Sequence, residues 1–340
     1  MRASIIVVSY NSIRYLPACL TAIAAQLGAD DELIVVDNAS TDGSAAYVAR
    51  VWPMARLLRR ANDGYAGGNN AGAALARGDL LVVLNPDALV LPGALDALLA
   101  PLADPTIGMT TARILLSTDS ARINTSGNDV HFTGLAYCRG AGAQAQAVDD
   151  SGEVAAVSGA AFAMRRTVFH ELGGFDAAFF LYVEDTDLSW RVRMRGLRIW
   201  YTAAARVLHR YTMRMSSQKL RYIERNRLRM LLQNLSARTL VRMLPALLLT
   251  EGLTWGFALL RGAPLTKLRV YHELWCARAA IGVSRRRIQH ARRVPDRIVL
   301  RAMTSRLAFE QVADQRLARV ATLLVAPLFW LVRLPVWGGQ

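Results

Sequence analysis

Three acids crowd together in Tyr182-Val183-Glu184-Asp185-Thr186-Asp187-Leu188-Ser189-Trp190, just after the aromatic-apolar run Phe179-Phe180-Leu181. Adjacent carboxylates repel one another when ionised. Such crowding is kept for proton transfer or metal work, although the dipole of a helix also favours acids in its first turn. Asn85-Pro86-Asp87 closes the strongly apolar strand-like run 80–84. A carboxylate at the tip of a central strand is placed to hold a divalent ion on a diphosphate; the plainer reading is a strand-ending turn with Pro. His209 follows a strand-like stretch, 198–208, that should lie near these acids. A lone histidine is more often structural than ligating.

Two further clusters suit binding rather than reaction. Asp37-Asn38-Ala39-Ser40-Thr41-Asp42-Gly43-Ser44 follows a strand. One Asp, Ser or Thr suffices to cap a helix, whereas this run has several, and Asp37 could accept hydrogen bonds from a base or ribose. Asn62-Asp63-Gly64-Tyr65-Ala66-Gly67-Gly68-Asn69-Asn70-Ala71-Gly72 mixes four glycines with three asparagines. It reads as a loop whose backbone comes close to something and which feeds an anion-favouring helix N-terminus. A plain surface loop is the alternative.

The elements that position these clusters alternate. Apolar runs at 4–9, 32–37, 56–59 and 80–84 read as strands. Helical spacing of Leu16, Leu20, Ile23 and Leu27, and a stretch at 69–77 closed by Gly78, read as helices, as does the segment after Pro92. Short helices are expected at 165–172 and 185–195, and 112–155 gives no clear assignment. Such alternation predicts an α/β fold with a mostly parallel sheet flanked by helices, whose ligands bind beyond the carboxyl ends of the strands. The polar clusters Tyr10-Asn11, Asp37-Asn38 and Asn85-Pro86-Asp87 fall at those ends.

Beyond about residue 211 the chain reads as helical and basic. Residues 1–210 carry 18 Lys and Arg against 20 Asp and Glu, and residues 211–340 carry 23 against 6. We therefore expect a catalytic domain at 1–210 and a helical C-terminal region at 211–340 that meets an anionic membrane surface. The apolar stretches 243–260 and 320–332 fit interfacial or re-entrant helices. The first contains Pro245 and Glu251, and the second is shorter than the roughly 20 residues that a spanning helix needs. The first ten residues lack the apolar core of a signal peptide. Cys19, Cys138 and Cys276 follow no disulfide or metal spacing. Both observations favour a cytosolic setting, peripheral or monotopic on the membrane.

In order and spacing, Ser9-Tyr10-Asn11, Asp37-Asn38-Ala39-Ser40, the run from Asn62 to Gly72, Asn85-Pro86-Asp87, Ser158-Gly159-Ala160, Glu184-Asp185-Thr186-Asp187-Leu188 and His209 resemble the family 2 glycosyltransferases of GT-A fold. The similarity covers about residues 4–210 and is greatest to the bacterial rhamnosyltransferase-like and galactofuranosyltransferase-like branch. It implies a nucleotide-sugar donor contacted by Tyr10, Asn11, Asp37, Asn38, Asn62, Gly64, Gly68, Asn69 and Asn85. It implies Asp185 as catalytic base, with Glu184, Trp190 and Gly159 on the acceptor side. Asp87 matches the last acid of the family's DxD motif and His209 a further metal ligand, for Mn²⁺ or Mg²⁺. The sequence departs at Asn85, where the motif's first Asp is expected. Tyr222-Ile223-Glu224-Arg225-Asn226-Arg227-Leu228 is similar to a run in members with helical extensions, which act on lipid-linked or other membrane-borne glycan acceptors. The branch implies dTDP-L-rhamnose first and a UDP-sugar second.

Other classes fit less well. A sugar-nucleotide-forming nucleotidyltransferase needs a glycine-rich basic loop after its first strand, where Ser9-Tyr10-Asn11-Ser12 stands. A nucleic-acid-binding protein needs stacking aromatics on its basic face, where this chain has long aliphatic runs, so no nucleic-acid partner is expected. A non-catalytic membrane scaffold differs in the absence of donor hydrolysis.

Overall fold

The computed structural model describes residues 2–210, 215–308, 322, 323 and 325–329. They form two compact units. One comprises residues 1–128, 138–192 and 197–213, the other 129–137, 193–196 and 214–340.

The first unit begins with β1 (Ala3–Ser9), α1 (Leu16–Ala24), β2 (Glu32–Asn38), α2 (Ser44–Val51), β3 (Arg56–Arg60), α3 (Gly64–Leu75) and β4 (Leu80–Leu84). β5 (Ala88–Val90), α4 (Ala94–Leu99), β6 (Ile107–Leu116), β7 (Asp119–Thr125) and β10 (Gly152–Glu153) follow, while β8 (Asn128–Val130) and β9 (Ala136–Cys138) belong largely to the second unit. Then come β11 (Ala161–Arg165), α5 (Arg166–Glu171), α6 (Glu184–Met194) and β12 (Arg198–His209). β1, β2 and β4 are buried throughout because both their faces are covered. Alternate residues serve opposite layers. Ile5, Val7, Val35 and Val82 pack with Leu16, Leu20 and Ile23 of α1. Ile6, Val8, Val36 and Val83 pack with Ala66 and Ala73 of α3 and Leu188 and Val192 of α6.

The sheet order is β10-β12-β6-β11-β4-β1-β2-β3, with β5 on β12 and β7 on β6. The expected parallel arrangement holds from β4 through β1 and β2 to β3. Beyond β4 the sheet is mixed, because β11 runs antiparallel to both of its neighbours. Ser9 stands opposite Asp37 and Val7 opposite Leu84. The polar ends of β1, β2 and β4 therefore lie side by side.

The run from Asn62 to Gly72 is corrected from a loop to the first turns of α3. Its glycines serve close packing on the sheet. A Cβ at Gly68 would stand 2.6 Å from Val8 Cγ1, and one at Gly72 2.5 Å from Ile6 Cγ2. The unassigned stretch 112–155 holds the end of β6 and the short strands β7 to β10. Gly, Thr and Asn hide these strands from the apolar pattern.

The second unit contains α7 (Ser217–Asn234), α8 (Ala237–Leu260), α9 (Pro264–Cys276), α10 (Arg278–Ala291) and α11 (Asp296–Arg301). Ser216 and Ser236 cap α7 and α8 by accepting from the N–H groups of Lys219 and Thr239. The apolar stretch 320–332 falls largely outside the described residues.

Candidate active site

The ends of β1 and β2 are latched together by the polar run after Asp37. Asn11 Oδ1 accepts from Thr41 N at 2.8 Å, Ser40 Oγ from Asn11 N at 3.0 Å, and Asp42 Oδ2 from Ile13 N at 2.9 Å. Asn11 and Ala39 both adopt left-handed backbone, with φ of 49° and 60°. Tyr10 is exposed beside this latch, while Asp37 and Asn38 are buried. Asp37 Oδ2 accepts from Ser40 N at 3.1 Å, and Asn38 Nδ2 donates to Gly64 O at 2.9 Å. Asp37 Oδ1 and Asn38 Oδ1 have no hydrogen-bond partner among the described residues. A buried acceptor left unpaired is costly, and two at one strand end suit donors on a ligand.

Asn62 Oδ1 accepts from Gly64 N at 3.0 Å and shapes the entry to α3. Gly64 has φ of 81°, and a Cβ there would collide with the Phe180 carbonyl. Gly68 and Asn69 are buried within α3, with Asn69 Nδ2 donating to Tyr65 O at 2.9 Å. Asn69 Oδ1 is buried and has no hydrogen-bond partner among the described residues.

Asp87 and His209 come together on neighbouring elements, because β12 places His209 opposite Ala88 of β5. His209 Nε2 lies 3.4 Å from Asp87 Oδ1. Its Nδ1 is 3.0 Å from Asn124 Oδ1, a contact in which an Nδ1–H donates to the amide oxygen and which orients the ring. Asn124 sits in the stretch that sequence patterning leaves unassigned. Asp87 and His209 alone do not encage an ion, and no group of three potential metal-binding side chains occurs among the described residues. The pair fits an ion that takes its other ligands from a diphosphate and water, the usual arrangement for such ions. Asn85 is tied in through its N–H, which donates to Ala160 O at 3.0 Å.

Two cations have no signal in the motif pattern. The Arg14 and Arg210 guanidiniums lie 5.8 and 5.7 Å from the centroid of one ring, Tyr15. Arg210 N donates to Asp87 O at 3.4 Å, and neither arginine pairs with an acid among the described residues.

The acidic cluster opens α6 after a turn in which Phe180, Tyr182 and Val183 have φ of 63°, 68° and 71°. For Val183 in particular that is a strained backbone, of the kind that clusters at active sites. Asp185 Oδ2 accepts from Gly159 N at 2.8 Å, with Asn128 Nδ2 at 3.5 Å, and Oδ1 accepts from Thr186 N at 2.7 Å. Tyr65 Oη donates to Gly159 O at 2.6 Å and braces the same turn. Burial pushes the Asp185 carboxyl up, against these hydrogen bonds, which pull it down. Glu184 is pushed well above the usual carboxylate range, by burial first and then by the charge of Asp185, and its Oε2 has no hydrogen-bond partner among the described residues. Two buried carboxylates this close resist ionising together, and the hydrogen bonds to Asp185 favour its charged form. Trp190 is corrected. It is 1% exposed and, five residues along α6, points well round the helix from Asp185, so it packs in the interior and cannot reach an acceptor.

Residues 4–173, half of the chain, match the family described as glycosyl transferase family 2. The chain belongs to that family. This glycosyltransferase is similar to the N-acetylglucosaminyl-diphospho-decaprenol L-rhamnosyltransferase of Mycobacterium tuberculosis, with 28% identity over 229 residues that cover 60% of this chain and 75% of that one. It is also similar to the O-antigen chain rhamnosyltransferase RfbN of Salmonella typhimurium, 26% identical over 224 residues, covering 64% and 70%. Among solved structures it resembles GalNAc-T7 with UDP, GalNAc and Mn²⁺, at a TM-score of 0.55 and 19% identity. That match covers 66% of this chain and 47% of the other, about half of its length, and is a likeness of fold. The mixed α/β sheet with flanking helices is the GT-A architecture that the motifs implied.

Proposed function

We propose that the chain is an inverting glycosyltransferase that moves a sugar, L-rhamnose from dTDP-L-rhamnose first and a UDP-sugar second, to a hydroxyl of a lipid-linked or cell-envelope glycan. The catalytic machinery lies in residues 1–210, and residues 211–340 hold the protein to the cytosolic face of a membrane. The reading is carried by one observation. Asp87 and His209 meet within 3.4 Å beside strand ends that bear the unpartnered acceptors of Asp37 and Asn38.

In this reading Asp37, Asn38 and Tyr10 meet the nucleoside, and Asp37 Oδ1 accepts from a base or ribose donor. Arg14 and Arg210 face the diphosphate. Asp87 and His209 would hold Mn²⁺ or Mg²⁺, which when bound supplies positive charge to the leaving diphosphate. Asp185 takes the proton of the acceptor hydroxyl as its oxygen forms the new bond to the anomeric carbon and the bond to the diphosphate breaks. A single displacement by one base, without a covalent nucleophile, inverts the anomeric centre. Gly159, Tyr65 and Asn128 orient Asp185, and neutral Glu184 beside it spares the pair a second buried charge.

A thermal-shift panel of dTDP-, UDP- and GDP-sugars with Mn²⁺ tests the donor. Ligand at about 100 times its Kd stabilises the native state by about 2.7 kcal/mol, so dTDP-L-rhamnose should give the largest rise in Tm. A flat response to every nucleotide sugar would overturn the donor site. Donor hydrolysis separates an enzyme from a non-catalytic scaffold.

Asn124 gives a second test. Removal of a group that orients a ligating histidine typically costs about 10–100-fold in metal affinity. Asn124→Ala should therefore raise the Mn²⁺ concentration for half-maximal binding, followed by Mn²⁺ electron paramagnetic resonance, by that factor. Unchanged binding would show that the contact to His209 does not tune the site.

A further inference from the structure

Within the helical unit, α8 is the one helix among the described residues long and apolar enough to cross a membrane. Its inner face argues against crossing. Glu251, near its middle, pairs with Arg227 and, at 2.8 Å, with Lys267, and accepts from Tyr271 Oη at 2.5 Å. Lys267 Nζ also donates to Glu224 Oε2 at 2.6 Å and Thr254 Oγ1 at 2.9 Å. Arg227, Lys267 and Glu224 are buried, so the network stitches α7, α8 and α9 together. To span, α8 would have to abandon these partners or carry the charges into hydrocarbon.

Its outer face is different. Leu244, Leu248 and Leu259 of α8 are each more than half exposed, as are Leu265, Leu268 and Trp275 of α9. Leu244 and Leu248, four residues apart, share one face of α8, and Leu265 and Leu268, three apart, share one face of α9.

The two helices form an antiparallel hairpin. They are joined by Arg261, Gly262 and Ala263, and cross-linked by Lys267 to Thr254 and by Tyr271 to Glu251. Exposed Arg242, Arg261, Arg269 and Arg278 fringe the apolar residues, and none pairs with an acid among the described residues. The Arg278 guanidinium lies 4.6 Å from the Trp275 ring centroid. Arginine and tryptophan together suit the boundary between headgroup and acyl chain.

We infer that the α8–α9 hairpin docks flat on an anionic bilayer, with its leucines and Trp275 among the acyl chains and its arginines on the headgroups. The inference rests on the proposed membrane-borne acceptor and adds the lipid-facing surface and its in-plane orientation. The apolar stripe with a cationic fringe favours lipid over a protein partner, because among the described residues the fringe offers no acid to pair with a basic surface.

The test is co-sedimentation of the full chain with phosphatidylcholine vesicles, with and without phosphatidylserine. The wild type should pellet with the anionic vesicles and be released in part by high salt and fully by detergent. Leu244→Glu/Leu248→Glu/Leu268→Glu should lower binding by at least about tenfold, while its thermal shift with nucleotide sugars stays that of the wild type. Equal pelleting of variant and wild type would overturn the docking surface. So would a failure of the wild type to pellet, or self-association that the triple variant abolishes, which would make this face a contact between copies. Loss of the nucleotide-sugar shift in the wild type would instead overturn the glycosyltransferase donor site.

Discussion

Asp185→Asn should keep nucleotide-sugar binding and lower kcat by about 10²–10⁴-fold, the usual worth of a general base. Asp185 is the member of the acidic pair whose charged form is held by hydrogen bonds. Its oxygens accept from Gly159 N and Thr186 N, whereas Glu184 Oε2 has no hydrogen-bond partner among the described residues. Burial raises the Asp185 carboxyl above its ordinary value, which makes it a better base than a solvated aspartate. A base works only when ionised, so kcat/KM should rise as pH passes upward through this raised pKa, and the amide variant should lose that acidic limb. Glu184→Gln preserves the neutral form and should cost much less. The new amide nitrogen in Asp185→Asn must face a backbone N–H, which costs about 1–3 kcal/mol of stability, so Tm and donor binding are measured beside turnover. Near-normal turnover, or loss of donor binding in step with turnover, would remove Asp185 from the role of base.

The legible parts of the site are those whose chemistry is local in sequence. Strand ends are readable, since an apolar run that stops at Asp37-Asn38 or Asn85-Pro86-Asp87 places its polar residues at the sheet's carboxyl edge. The glycines from Gly64 to Gly72 signal a close approach without saying to what. Only the fold shows that α3 closes on Val8 and Ile6. Trp190 misleads because it stands close to the acids in sequence, while helical geometry turns it inward. Asn124, Arg14 and Tyr15 are not legible as parts of one site. Asn124 acts on His209 across 85 positions, and Tyr15 gathers Arg210 beside its neighbour Arg14. Such pairings arise from strand order and leave no periodic trace.

Chelation by EDTA should abolish transfer, and Mn²⁺ or Mg²⁺ should restore it. Asp87 would supply one carboxylate and His209 one imidazole, and Asn85 stands where a second acid would add charge. Two protein ligands bind an ion weakly, so most of its remaining ligands must come from the diphosphate. Metal and nucleotide should then bind cooperatively, and by linkage each must tighten the other by the same factor. Mn²⁺ titrated by electron paramagnetic resonance should therefore bind more tightly with dTDP or UDP present than without. An imidazole beside carboxylate oxygen suits Mn²⁺ better than Mg²⁺, so restoration should need less Mn²⁺. Asp87→Ala and His209→Ala each delete a ligand outright and should raise the metal requirement by more than Asn124→Ala, which only loosens one. Full activity in EDTA, or Mn²⁺ binding unchanged in both ligand variants, would show that the 3.4 Å contact between Asp87 and His209 is structural and that the diphosphate is met by Arg14 and Arg210 instead.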